Sequence, residues 1–554
     1  MYKKAFAKSV RDEQNTYDVH LWTDSGYEVE RWVNKAYVEC SPEESTHVGL
    51  NGETLKKTSN WKRDDARLHF ADMTPYQKFL IEKYGTNDDP STTQKELFFD
   101  IEIEMGEALT EEYIKSAPKK VTSIAWFDKS AGKWAILILD VKGRIKHTKT
   151  KNREITPFKT ENELLKQFII SFRDIDPDII VGWNSDYFDI PYLYYRIKNV
   201  LGQRAASYLS PIGVVRETPW YKDQYIQIAG VESLDYMRLH KKFSWADEPS
   251  FKLDAIGEKY ANLKKIEYNG NLDKLFEEDV ETFIQYNFRD VEILKVLDEK
   301  LEYISLVKNL AHKGKHNYSE AYANTKTQDG AISAYLLSQE IIPPPKDKNP
   351  ISKKNYAGGY LFCPKAGIYN YMFDEDLTSL YPSIIMTINI GKETMVGRII
   401  DENDRNNRLG LNDLKSRSDG NELLIIENTN RKRTQMSVGD LISFIESNNL
   451  SLSANGVFFR TDKESVLSTI LKKWFSERVL YKGKMKKAYK AGDAELGASY
   501  HMKQYTMKIL LNSLYGATAL GSFRYGNVIL SEAITLSGQR IIQESALCAN
   551  RHMN

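Results

Sequence analysis

Phe98-Phe99-Asp100-Ile101-Glu102-Ile103-Glu104 alternates apolar and acidic residues with period two, the pattern of a β-strand whose successive side chains point to opposite faces. Phe99, Ile101 and Ile103 are expected to face a core, while Asp100 and Glu102 share the other face. Two carboxylates side by side repel, so they either take up protons or share a divalent cation, and hard oxygen ligands favour Mg2+ or Mn2+. Alone, the stretch also reads as an ordinary solvated sheet face. Around it lie the runs Val121-Thr-Ser-Ile-Ala-Trp126 and Ile179-Ile-Val-Gly-Trp183, interleaved with a helical stretch from Glu161 to Phe172. Strands alternating with helices predict an α/β sheet domain.

Working outward, residues 1 to about 94 carry short alternating patches such as Tyr17-Asp-Val-His-Leu-Trp22, then the polar loop Gly85-Thr-Asn-Asp-Asp-Pro90. This predicts a mostly β N-terminal domain closed by a linker. The run Ile341-Ile-Pro-Pro-Pro-Lys-Asp-Lys-Asn-Pro350 marks a second boundary, because consecutive prolines fix φ and remove donors; a new domain is expected from about Tyr356. Residues 400–460, which include Asn403-Asp-Arg-Asn-Asn-Arg408, read as an irregular insertion with one helix, Val438 to Asn448. With 554 residues the chain has room for three or four cores, since single cores stop growing near ~250 to 300 residues. The balance of 77 basic against 76 acidic residues exerts no global pull on a polyanion, so nucleic-acid binding would have to come from local patches. Cys40, Cys363 and Cys548 are far apart and odd in number, as expected of reduced thiols and not of a disulfide or zinc framework. No apolar run approaches ~18 residues, so no membrane is expected and the location read from the sequence is cytoplasmic.

Three further constellations stand out. Val181-Gly-Trp-Asn184-Ser-Asp-Tyr-Phe188-Asp189 ends a β-branched strand in a turn, and Tyr286-Asn-Phe-Arg-Asp290 sets a phenol and a carboxylate on one helix face at i and i+4. Asp376-Leu-Thr-Ser379-Leu380-Tyr381-Pro382-Ser383 reads as a strand ending at Met372 and Phe373 that delivers carboxylates to a turn, with Pro382 opening a helix. Lys508, Asn512 and Tyr515 fall at i, i+4 and i+7 on one helical stripe beside Gly516. Upstream, Leu471 to Lys490 carries Lys472, Lys473, Arg478, Lys482, Lys484, Lys486, Lys487 and Lys490 against the single acid Glu477, the clearest polyanion patch of the chain. Only Ala491 to Gly497 separates these two helices, which predicts an antiparallel pair.

In order and spacing these segments resemble family B DNA polymerases of the T-even phage type. Asp-x-Glu, then Asn-x-x-x-Phe-Asp, then Tyr-x-x-x-Asp resembles a 3′→5′ exonuclease; Asp-x-x-Ser-Leu-Tyr-Pro-Ser resembles the first palm motif and Lys-x-x-x-Asn-Ser-x-Tyr-Gly the fingers motif. The resemblance implies a multidomain α/β and α+β protein. Residues 1–94 would form the N-terminal domain, with 305–345 returning to it, and 95–304 an RNase H-like exonuclease domain. A partial ferredoxin-like palm with an insertion would span 346–465, two-helix fingers 466–518, and a palm continuation 519–554 with a helix from about Glu532. It implies two Mg2+ or Mn2+ ions at each active site, held in the exonuclease by Asp100, Glu102, Asp189 and Asp290, with Tyr286 orienting the attacking water. Asp376 would be a polymerase metal ligand, favoured over Asp374 by register. Ser379, Leu380 and Tyr381 would meet the incoming nucleotide, Tyr381 as steric gate against a 2′-hydroxyl, and Arg478, Lys482, Lys508, Asn512 and Tyr515 would contact the dNTP. Gly358, Gly359 and Gly516 would approach DNA, the first two within Tyr356-Ala-Gly358-Gly359-Tyr360.

The family's second palm motif, an Asp-Thr-Asp hairpin beyond the fingers, is not found: the Asp-x-Asp occurrences are Asp174-Ile-Asp176, Asp176-Pro-Asp178 and Asp374-Glu-Asp376. One carboxylate does not hold two metals against a triphosphate. The expectation is therefore the N-terminal subunit of a split DNA polymerase. A second chain would bring the missing carboxylate and thumb and, through its tail, reach a sliding clamp; primer-template DNA and dNTP would be the ligands. The alternatives are an artificial truncation, a stand-alone single-strand exonuclease with a vestigial palm, and a non-catalytic nucleic-acid-binding module.

Overall fold

The computed structural model describes every residue except 63, 64, 66, 107–109, 220–225, 245, 269, 349–357, 364, 371–375, 378, 401–409, 417–420 and 554. The strand end at Met372 and Phe373, Asp374, Asn403–Arg408 and Tyr356 with Ala357 thus lie outside the described residues. The chain divides into two units: Met1–Val33, Pro75–Leu80 and Asn87–Tyr322 form one, and Asn34–Thr74, Ile81–Thr86 and Ala323–Asn554 the other.

The first unit is organised by a seven-stranded mixed sheet. In spatial order its strands are Thr148–Lys149, Arg153–Phe158, Lys133–Leu139, Val121–Asp128, Glu96–Ile103, Ile179–Gly182 and Glu232–Asp235. The strand quoted at the outset sits near the middle, antiparallel to Val121–Asp128 and parallel to Ile179–Gly182. Phe99 and Ile101 point into a core shared with Leu164, Leu165, Phe168, Ile190 and Leu193 of the helices Glu161–Ile175 and Asp189–Leu201. The first of those helices starts in a capping box, Thr160 with Glu163, which satisfies donors that a helix start leaves orphaned. The helix Val280–Leu301 packs against the strands Glu96–Ile103 and Val121–Asp128. Asn287 on this helix bonds Asp100, so the acidic face of the strand is partly covered by a helix and its acids are half-buried. A three-stranded antiparallel sheet, Tyr2–Ser9, Thr16–Thr23 and Gly26–Val33, completes the β elements of the chain's beginning in this unit.

The second unit holds two five-stranded sheets. One orders Ile341–Ile342, His47–Gly49, Thr54–Thr58, Ala36–Glu39 and Leu68–His69 over a core of Tyr37, Leu55, Phe70, Met73 and Ile342. The other corrects the reading of residues 400–460 as an irregular insertion. Its strands Arg433–Ser437, Leu423–Asn428, Met395–Ile400, Val457–Phe459 and Ser451–Leu452 are all antiparallel, and the helix Val438–Ser447 closes it through Val438, Leu441 and Ile445. Long polar turns hide these short strands from a composition-based reading.

The two basic-stripe helices run Val466–Lys490 and Ala494–Thr518 and pack along each other. Their connection is shorter than expected because Asp493 caps the second helix by accepting from Leu496 N. A further helix, Val528–Met553, starts four residues earlier than the sequence suggests, and Leu380–Ile388 packs against both it and Val466–Lys490. Among the described residues no helix is long and apolar enough to cross a membrane.

Candidate functional site

In the first unit Asp100 and Glu102, two residues apart on one strand, meet Asp290 from the helix Val280–Leu301. One ligand atom from each lies within 4.8 Å of the others. Period-two alternation puts the first two on one face, and the i, i+4 spacing of Tyr286 and Asp290 aims that helix's phenol and carboxylate at the same place. Asp189 opens the helix Asp189–Leu201 and accepts from Ile101 N at 3.3 Å. Its carboxylate is thus tethered to the backbone of the same strand and is not one of the three clustered acids.

Crowding acids away from water opposes their ionisation. The Asp100 carboxyl is raised well above its usual range by burial and then by Glu102, Asp290 and Asp189. Glu102 is pushed up to about 8 by burial and then by Asp290, and Asp189 to about 7 by burial and by Asp235 and Asp290. Lys265, which the sequence reading missed, supplies the opposing charge. Its Nζ donates to Asp290 Oδ2 at 2.5 Å and to Tyr286 OH at 3.1 Å. Lys265 follows no recognisable spacing, so only the fold brings it here. The Tyr286 hydroxyl is held above its ordinary range by burial and by Asp290, which keeps it protonated.

Whether this set suits a divalent ion can be judged from its own atoms. Three hard oxygen donors converge, their neutralisation by one lysine is incomplete, and buried Asp290 Oδ1 lacks a hydrogen-bond partner. A cation satisfies all three conditions at once.

The second unit gathers the other predicted residues. Arg478 and Lys482 on one helix stand close enough to Lys508 on the next that the Lys482 ammonium is lowered, first by Arg478 and then by burial, Lys486 and Lys508. The buried Arg478 Nε has no hydrogen-bond partner. Arg478, Lys482 and Lys508 thus form a cluster of like positive charge on two neighbouring helices. Tyr515 lies with its ring 4.3 Å from that of Tyr381, tilted by 32°. Asn512 and Gly516 are exposed, and a Cβ at Gly516 or Gly358 would meet nothing within 4 Å. Gly359 faces the Tyr381 hydroxyl, and Gln539 Nε2 donates to Gly358 O at 2.6 Å. Asp376 is exposed. Ser379, with φ of 53°, is held in the left-handed region that a non-glycine residue rarely enters, and Leu380 starts the helix behind it. Sequence reasoning missed Gly538: a Cβ there would lie 3.1 Å from Tyr381 Cε1, so the bare backbone is what lets that ring settle.

An acid-lined α/β sheet domain thus lies in one unit, and a cation-lined helix pair follows the Ser-Leu-Tyr-Pro-Ser segment in the other. Residues 73–256 match DNA polymerase family B, exonuclease domain, and residues 323–554 match DNA polymerase family B. Both regions are thus domains of DNA polymerase family B. It is 29% identical over 456 residues to the DNA-directed DNA polymerase of Escherichia phage RB69 and 27% identical over 456 residues to that of Enterobacteria phage T4, covering in each case 72% of this chain and 46% of the relative. The DNA polymerase of Thermococcus litoralis is 27% identical over 255 residues, 42% of this chain and 14% of the relative. The chain therefore spans about half the length of these phage relatives.

Proposed function

We propose that the first unit is a 3′→5′ exonuclease acting on DNA ends and that the second carries the nucleotide-binding half of a polymerase centre. The observation that carries the first reading is the convergence of Asp100, Glu102 and Asp290, from segments almost two hundred residues apart, to within 4.8 Å. Mg2+ or Mn2+ would be held there by these three acids, with Asp189 beside a second ion, and would supply charge to a departing 3′ oxygen and an acidified water. Tyr286 orients that water through its protonated hydroxyl, and Lys265 anchors both Tyr286 and Asp290. At the other centre Arg478, Lys482 and Lys508 hold the triphosphate, Asn512 and Tyr515 line the base, and Tyr381 excludes a 2′-hydroxyl while Ser379 and Leu380 shape the turn beneath it. Asp376 is the metal ligand of that centre, and Gly358, Gly359 and Gly516 leave room for DNA.

Synthesis in this reading needs a thumb and a second palm carboxylate, for which the sequence offers no Asp-x-Asp beyond the fingers motif. The partner we propose is a second polymerase chain that brings them and links to a sliding clamp. The test is a pair of assays on the full chain. Mg2+-dependent shortening of single-stranded DNA from its 3′ end should occur with the chain alone and vanish in Asp100→Ala. Primer extension should appear only with the second chain present and vanish in Asp376→Ala, which should leave shortening unchanged. Shortening that survives Asp100→Ala would overturn the exonuclease reading.

A further inference from the structure

A carboxylate that grips a cation is most effective when something other than the cation fixes its orientation, and Asp100 has such a support. Asn287 Nδ2 donates to Asp100 Oδ2 at 2.7 Å, and Ser123 Oγ donates to Asn287 Oδ1 at 2.7 Å. Both Ser123 and Asn287 are completely buried. Ser123 lies directly opposite Glu102 in the antiparallel pairing of the two strands, so the sheet that carries two of the acids also carries the start of the chain that steadies one of them. Asn287 adjoins Tyr286 and precedes Asp290 by three residues on one helix.

The direction of this chain follows from its chemistry. An amide offers one acceptor end and one donor end. With the oxygen taken by the serine hydroxyl, only the NH2 can face Asp100; the reversed amide would set oxygen against carboxylate oxygen. The bond occupies one lone-pair direction of Asp100 Oδ2 and restrains the carboxylate from swinging, which leaves its remaining acceptor positions for a cation. A donor of this kind also favours the charged form that a cation requires.

We propose that Asn287, itself oriented by Ser123, is a positioning residue that sets the divalent-cation affinity of the Asp100–Glu102–Asp290 cluster. The inference rests on the exonuclease reading for its biological meaning, but its test does not. Mn2+ binding to the full chain, measured by titration calorimetry, should weaken by about 10- to 100-fold in Asn287→Ala, the range found when the outer support of a metal ligand is removed. Ser123→Ala should weaken it less and in the same direction. In the double variant Ser123→Ala should add nothing, because its effect passes through Asn287; a residue that served packing alone would contribute independently. Unchanged Mn2+ affinity in Asn287→Ala, or additive losses in the double variant, would overturn the proposal. Should Asn287→Ala fail to fold, Ser123→Ala, which deletes one hydroxyl, decides the matter: undiminished affinity refutes it. Wild-type chain that binds Mn2+ yet does not shorten DNA would count against the exonuclease reading and leave this inference standing.

Discussion

The acid cluster of the first unit and the cation cluster of the second are opposite solutions to one electrostatic problem. Each gathers like charges that repel. Asp100 and Glu102 are half-buried and Asp290 buried; Asn287 holds Asp100, Lys265 holds Asp290, and all three carboxyls are pushed towards their protonated forms. Arg478, Lys482 and Lys508 sit on neighbouring helices, with Lys482 exposed; burial lowers Arg478, and Lys482 is lowered first by Arg478 and then by burial, Lys486 and Lys508. The acids converge on one point within 4.8 Å, where a single cation can meet all three. The cations are spread along two helices with Lys482 exposed, so water and salt share more of the burden there.

The largest expected break in this comparison is Asp100→Ala, which should reduce metal-dependent DNA shortening by roughly 100-fold or more, beyond the loss that an outer support would cause. Next comes pH. Glu102 and Asp189 titrate at about 8 and about 7 in the folded chain against ordinary values of 4.5 and 3.8. A folded value above the unfolded one means that the folded state binds more protons in between, so stability is fully present below the ordinary values and is lost as pH rises through 7 to 8. Without divalent ions, thermal unfolding should therefore move to lower temperature between pH 5 and 8, by the equivalent of ~2 kcal/mol after allowance for partial solvation, and excess Mg2+ should flatten the curve. A smaller effect is expected at the cationic cluster. Arg478→Ala should weaken dNTP binding about tenfold, near 1.4 kcal/mol, and that binding should fall with added salt far more steeply than Mn2+ binding at the acids. Equal salt sensitivity at both sites would erase the distinction.

How much of this was legible without coordinates depended on whether a feature was periodic. The alternation from Phe98 to Glu104 predicts a strand with its acids on one side, and the four-residue spacing of Tyr286 and Asp290 predicts a shared helix face; both stand in the structure as read. Local periodicity carries such information because backbone geometry sets it. Asn287, Ser123 and Lys265 were invisible for the converse reason: each gains its meaning from a neighbour distant in sequence, and no spacing announces a serine that orients an amide. The five-stranded sheet of the second unit failed differently. Leu423-Leu-Ile-Ile426 is a short apolar run with strand character, but the Asn- and Arg-rich stretches around it dominated the composition. Asp189 is read from the sequence as a fourth acid of the site, but its bond to Ile101 N has no sequence signal, since it depends on how the helix it opens meets the strand.

Lys265 offers the finest test of the contrast, because it is the one cation bonded to the acid cluster among the described residues. In the metal-free chain it is the counter-charge of Asp290, so Lys265→Met leaves a buried carboxylate facing two others with less to offset them. Losing one member of a buried pair is costly in general, but the Lys265 side chain retains 30% of its exposure, and the acids can answer by taking up protons. The loss should accordingly be only about 1 kcal/mol near neutral pH. A bound divalent ion supplies the same compensation, which makes the lysine largely redundant for stability once the ion is present. Mg2+ should therefore raise the unfolding temperature of Lys265→Met by more than it raises that of the wild type, and the two chains should converge at saturation. A stability deficit that persists undiminished in excess Mg2+ would mean that Lys265 acts by packing its stem and not by charge, and that the acidic cage owes its shape to something other than the balance of charge.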